Sequence, residues 1–171
     1  LTDQSFRYPR TEKCPRPKNA MPDVRVFIDS NTFLYTFDEQ QPRKAAQAQH
    51  WLRYLAKLDC GVANLQVLNE VTNVIVRKSH RFAGVDPFSR VDTFASFGST
   101  PLTNEIALTA RDVFRGFRYS WWDCLLLASA IELGCTHFLS EDMQDAQAVR
   151  LPGGALTIVN PFVQTPEEIL V

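Results

Sequence analysis

The chain is poor in the residues on which several large protein classes depend. Four cysteines, Cys14, Cys60, Cys124 and Cys135, are scattered over 171 residues without a C-x-x-C pair, which excludes a disulfide scaffold and the usual zinc or redox motifs. Three of them lie in or beside apolar segments, where a free thiol packs as a small hydrophobe, so a reducing, cytoplasmic setting is expected. The three histidines, His50, His80 and His137, show no ligand spacing. His50 and His80 read as surface residues and His137 as the start of a strand. Positive charge is not in excess either: 18 Lys and Arg stand against 19 Asp and Glu, for a net charge of -1, and the pI is near 6.3. Proteins that coat nucleic acid through bulk electrostatics carry a clear basic surplus, so any nucleic-acid contact must use a local patch. The longest apolar run, around Cys124 to Ala130, is broken by Ser129 and ends at Glu132. It falls far short of the roughly 18 residues that span a bilayer, and no membrane partner is expected. A Gly-rich phosphate loop, a Ser-His-Asp set, a thiolate nucleophile and an internal repeat are also missing.

What remains is an ordinary globular composition, 45% hydrophobic and 22% charged, of a length that suits one compact core. Residues 1–22 hold four of the ten prolines and several basic residues but no apolar periodicity, and read as a flexible tail. Met21, just before the first strand-like run, marks the expected natural start and makes the preceding residues an added or upstream extension. The alternative is a native arm that orders on a partner. The domain is expected over 23–165, with 166–171 a C-terminal tail.

Within the domain, "VRVFI" (24–28) is a short β-rich run ended by Asp29-Ser30-Asn31, which reads as a strand entering a helix. Pro42 opens a segment to Leu58 whose apolar residues recur at three and four, an amphipathic helix. "CGVAN" is a second short strand. "LQVLNEVTNVIVRK" follows, helical by the spacing of Leu65, Leu68, Val71 and Ile75 although its β-branched content leaves strand open. A weakly helical region over 86–97 precedes "EIALTARDVFRGF", capped by Asn104. "SWWDCLLLASAIELG" is a further helix closed by Gly134. "THFLS" reads as a strand, "EDMQDAQAV" as a turn with a short helix and "ALTIV" as a last strand. Strands alternating with helices predict an α/β fold: a central, mainly parallel sheet with helices on both faces and right-handed crossovers. In such folds ligands bind beyond the carboxyl ends of the strands.

Acidic residues are placed at that edge. Asp29 follows the first strand, Asp142 follows "THFLS", Asp123 opens a helix that feeds the same edge, and Glu70 borders the apolar face of its helix. Each has a plain alternative. Asp29 suits a helix cap, Asp123 lies three residues after Ser120 at capping-box spacing, Glu70 suits a solvated helix face, and Asp142 with Glu141 and Asp145 suits a polar loop. Four carboxylates within about 5 Å of one another would repel unless a divalent cation neutralised them. An oxygen-only set suits Mg2+ or Mn2+ rather than zinc.

The blocks "VFIDSNTFLYTFD", "LQVLNEVTNVIVRK", "YSWWDCLLLASAIELGC", "FLSEDMQD" and "TIVNPF", in this order from about Val24 to Phe162, resemble those of PIN domains, in particular the VapC-type toxins of bacterial toxin–antitoxin pairs. The resemblance implies a three-layer PIN-like fold and a Mg2+- or Mn2+-dependent endoribonuclease. Its catalytic and metal-binding acids map onto Asp29, Glu70, Asp123 and Asp142, with Asn31 and Ser140 in support. It implies attack by water on an RNA phosphorus, leaving a 5′-phosphate and a 3′-hydroxyl, as well as a cognate antitoxin and a homodimer. The chain departs from the family pattern at Ser30, where Thr is frequent, and at Ala146, where Gly often follows the "DMQD" block. The second change bears on the turn near Asp142.

For RNA contact two basic and aromatic groups stand out. One is Arg77, Lys78, His80 and Arg81 near Phe82, and the other is Arg111, Arg115, Arg118 and Tyr119. Either can equally be a solvated helix face. Two rival functions remain: a non-catalytic PIN-like binding module for RNA or protein, and a phosphohydrolase of the haloacid dehalogenase type. The latter needs a second Asp where Asn31 stands.

Overall fold

The computed structural model describes residues 24–78, 86 and 88–170. The N-terminal tail, with Cys14, and the residues His80, Arg81 and Phe82 lie outside the described residues. The elements run in the order β1 (Val26–Ile28), α1 (Ser30–Tyr35), α2 (Pro42–Leu58), β2 (Gly61–Val62), α3 (Leu65–Arg77) and α4 (Phe88–Phe94). Then follow α5 (Asn104–Phe117), α6 (Trp121–Glu132), β3 (His137–Leu139), β4 (Ala148–Leu151), β5 (Gly154–Val159) and α7 (Pro166–Ile169). The five strands form one sheet in the order β2-β1-β3-β5-β4. β1 pairs in parallel with β2 and β3, and β3 with β5; only the edge strand β4 is antiparallel.

Both faces of the sheet are covered, as the sequence pattern predicts. All three residues of β1, Val26, Phe27 and Ile28, are fully buried, and so are Phe138 and Leu139 of β3. Side chains alternate between faces along a strand, so complete burial of consecutive residues requires helices on either side. Phe27 and Phe138 stack across the β1–β3 pair with ring centroids 5.3 Å apart. α6 is apolar all round and buried from Cys124 to Ile131, as expected of a central helix. Gly134 ends it in the left-handed region, at φ 69°, where a residue without Cβ costs least.

Two segments differ from the sequence reading. "EDMQDAQAV" contains no helix: it forms turns and then enters β4, which pairs with β5 through the register Leu151↔Gly154. Pro152-Gly153 supplies the two-residue hairpin turn, and the alternation of buried Val149 with exposed Arg150 suits a strand. Where the sequence reading has a tail from 166 to 171, Pro166–Ile169 form the short helix α7, and Leu170 is buried in the core. The signal was the string "TPEE": the Glu168 carboxylate accepts from the Thr165 backbone N–H at 2.8 Å, a local start that outweighs the shortness of the segment. The Trp51 indole N–H, which donates to the carbonyls of Pro161 and Gln164 at 3.1 Å each, ties the approach to α7 onto α2.

Candidate functional site

A cleft of about 830 Å³ opens beyond the carboxyl ends of β1 and β3, and Asp29, Glu70, Asp123 and Asp142 all line it. Between them they come from four separate stretches of chain. Asp29 follows β1 directly and caps α1, accepting from the Ser30 backbone N–H at 2.6 Å. Its other oxygen accepts from the Ser140 hydroxyl at 3.1 Å, so the residue after β3 steadies the residue after β1. Ser140 also accepts from the Asp142 backbone N–H at 3.2 Å. Asn31 donates to Asp142 Oδ2 at 2.6 Å. Beyond the cleft, Glu141 pairs with Lys44 of α2 at 2.5 Å, and Lys44 lies over the rings of Tyr35 and Phe162. The turn that carries Asp142 is therefore anchored from both sides.

Asp123 is placed by α6. Ser120 accepts from the Asp123 backbone N–H at 3.2 Å and donates to its Oδ2 at 2.7 Å, so Ser120 caps the helix and orients the carboxylate together. Capping and lining the cleft coexist at Asp29 as well. Glu70, on α3, accepts from Gln66 Nε2 at 2.9 Å, and the same nitrogen donates to the Trp122 carbonyl at 3.3 Å. Because both partners are acceptors, the Gln66 amide must turn its nitrogen toward them. That orientation leaves Gln66 Oε1 buried without a partner. Gln66 thus braces α3 against the first turn of α6.

The electrostatics are those of clustered acids without a counter-charge. No Lys or Arg is among the described residues that line the cleft. Burial is the main reason that the Asp29 carboxyl, only 6% exposed, is pushed up to about 7. The hydrogen bonds from Ser140 and Ser30 oppose the rise, and the charges of Glu70 and Asp142 add to it. Each of the four carboxylates is engaged by a neighbour of its own, and among the described residues no three His, Cys, Asp or Glu side chains are gathered into a ready-made metal cage. The donor set nevertheless fits a hard divalent cation. It offers only oxygen ligands from acids and amides, and a cation would favour the ionised Asp29 carboxylate against the burial and the neighbouring charges that lift its pKa.

The basic residues singled out from the sequence lie elsewhere. Arg77 and Lys78 are exposed at the end of α3, and Lys78 opens instead on a neighbouring groove of about 820 Å³ between α1, α2 and α3. Arg115 pairs with Asp112 at 2.7 Å, and Arg118 lies over the Phe114 ring. None of these four lines the acidic cleft. Conversely, Gln66, Asn69, Asn73, Leu102 and Trp122 line it without having been singled out. A signal existed for two of them: Gln66 stands four residues before Glu70, one helical turn away, and Trp122 directly precedes Asp123.

No curated protein matches the chain. Its fold is shared by a toxin–antitoxin complex from Klebsiella pneumoniae, at 17% identity and a TM-score of 0.55, over 80% of this chain and 97% of that one. It is shared too by VapBC2 from Rickettsia felis, solved bound to a DNA fragment from their promoter, at 16% identity and a TM-score of 0.54, over 80% and 98% of the respective chains. Residues 26–149, from the first residue of β1 into β4 and including all four acids, match the family model of the PIN domain. The chain therefore belongs to the PIN domain family.

Proposed function

We propose that this protein is a Mg2+- or Mn2+-dependent endoribonuclease of the VapC type, the toxin of a toxin–antitoxin pair. The observation that carries the reading is the convergence of Asp29, Glu70, Asp123 and Asp142 on one cleft whose described lining holds no Lys or Arg. PIN domains are in general nucleases, and both solved structures named above belong to toxin–antitoxin systems. The toxin role, the antitoxin partner and a homodimer follow by analogy. The free thiols of Cys60, Cys124 and Cys135 and the lack, among the described residues, of a helix able to cross a membrane suit a cytoplasmic protein.

In this reading Asp29, Asp123 and Asp142 hold the ion, with Glu70 beside them. When bound, the ion supplies Lewis acidity that offsets charge developing at an RNA phosphorus and makes water a better nucleophile. The chain's own part is placement. Ser140 holds Asp29, Ser120 holds Asp123, Asn31 holds Asp142 and Gln66 holds Glu70. Preorganised ligands of this kind spare the site a reorganisation cost at the moment of reaction.

The test is to incubate the purified chain with single-stranded and structured RNAs, in Mn2+ or EDTA, beside Asp29→Asn. Cleavage that needs the metal and the carboxylate and leaves 5′-phosphates supports the reading. A 2′,3′-cyclic phosphate product, or activity that survives both EDTA and the substitution, overturns it. RNA binding without any cleavage would favour the non-catalytic module.

A further inference from the structure

Among the described residues that line it, the acidic cleft has no feature that can grip an RNA chain by its charge. Its described lining has carboxylates, amides and apolar groups but no Lys or Arg, so a bare phosphodiester is repelled there and any hold on the substrate beyond the metal must come from uncharged contacts. Those contacts have an evident source. Trp122 lines the cleft and is 63% exposed, an unusual state for the largest apolar side chain. Its backbone is not free to drift: it lies in the first turn of α6, and its carbonyl accepts from the buried Gln66. Leu102, itself 39% exposed, stands on the same cleft. On the facing helix α3, Asn69 and Asn73 are exposed, one turn apart, and line the cleft on either side of Glu70. Neither amide is committed to a partner among the described residues.

We propose that this rim is a base-recognition subsite, in which an unpaired nucleotide next to the cleaved phosphodiester stacks its base on Trp122 and presents its edge to Asn69 and Asn73. The proposal rests on the endoribonuclease reading and adds to it the residues that hold and select the base beside the cut. An exposed aromatic face held on a rigid backbone suits a base, which has a π-face whatever its identity. Side-chain amides carry a donor and an acceptor side by side, the arrangement that distinguishes one base edge from another. A base still inside a duplex offers neither its face nor its pairing edge. Stacking therefore supplies affinity for unpaired RNA, and the two amides supply a preference among nucleotides.

The test compares Trp122→Ala, Trp122→Leu and Trp122→Phe with the wild type on a single-stranded oligoribonucleotide and on its duplex, in Mn2+. Trp122→Ala and Trp122→Leu should raise KM for the single strand by about 5- to 100-fold, the value of one stacked base, while kcat stays near that of the wild type. Trp122→Phe, which keeps an aromatic face, should recover most of the loss. The double variant Asn69→Ala, Asn73→Ala should flatten the nucleotide preference beside the cut. Binding of the same labelled oligonucleotide, followed by fluorescence anisotropy, separates the two levels. If the wild type does not cleave, the nuclease reading fails, and the same order of variants in binding still decides the subsite. Unchanged affinity in Trp122→Ala and Trp122→Leu overturns the proposal. So does a Trp122→Ala protein whose main change is its oligomeric state on size exclusion, which would make the Trp122 face a protein interface.

Discussion

Asn31 donates to Asp142 Oδ2 across 2.6 Å, joining the second residue of α1 to an acid 111 positions further along the chain. The bond orients one carboxylate of the cleft without adding to its charge. Asp142 is exposed, so the contact contributes little to folding and much to direction.

Asn31→Ala should therefore slow RNA cleavage by about three- to tenfold, the value of one partly solvated hydrogen bond, with the melting temperature nearly unchanged. Steady-state kinetics in Mn2+ beside a thermal melt check both halves. A large loss of stability with unaltered kcat would mean that Asn31 serves α1 rather than the site.

Asp29 gives the metal-free protein a characteristic pH dependence. Its folded pKa of about 7 stands above the ordinary 3.8, so between these values the folded state holds a proton that the unfolded chain has released. The stabilisation is complete below about pH 4 and lost as pH rises through 7. In EDTA the wild type should melt lower at pH 8 than at pH 5, and Asp29→Asn should show less of this loss. Mn2+ should raise the wild-type melting temperature at pH 8 more than at pH 5, since it needs the ionised carboxylate, and should do little for Asp29→Asn. Parallel melting profiles of the two proteins across this range would refute the assignment.

Ser120 and Asp123 separate capping from chemistry. Ser120→Ala removes the cap of α6 and should cost about 1 kcal/mol, a fall of roughly 2–4 °C for a chain of this size. Asp123→Asn can still accept from the Ser120 hydroxyl, so without metal it should melt close to the wild type, yet it should lose metal-dependent cleavage. A strong destabilisation by Asp123→Asn would assign the carboxylate to helix capping.

Ala146 adopts φ 61°, in the left-handed region that penalises a Cβ by about 1 kcal/mol. Its N–H is committed, donating to the Ile158 carbonyl at 2.9 Å, so the turn cannot relax. This is the position where the family pattern often has Gly. Ala146→Gly should stabilise the protein by about 0.5–1 kcal/mol, part of the gain being offset by unfolded-chain entropy. Chemical denaturation checks the sign. A loss of stability would show that the turn does not require the strained conformation.

Much of this molecule is written locally. The spacing of Trp51, Leu52 and Leu55, the β-rich "VFI" before Asp29 and the apolar body of α6 each determine an element through neighbours within a few residues, because helix and strand periodicity is a short-range property. The same holds for the caps at Asp29 and Ser120. Weak local signals specify less. β4 became visible as a strand only through its hairpin with β5, and α7 only through its cap and the burial of Leu170. The order β2-β1-β3-β5-β4 is another matter, since pairing between β1 and β3 joins residues more than a hundred apart. That pairing brings Ser140 to Asp29, desolvates the Asp29 carboxyl and helps gather four acids whose individual sequence contexts each suited a cap, a solvated helix face or a polar loop. The tertiary structure also decided which groups surround them. It set Trp122, Asn69 and Asn73 on the rim, because the direction a side chain takes across a cleft depends on how helices from distant parts of the chain pack.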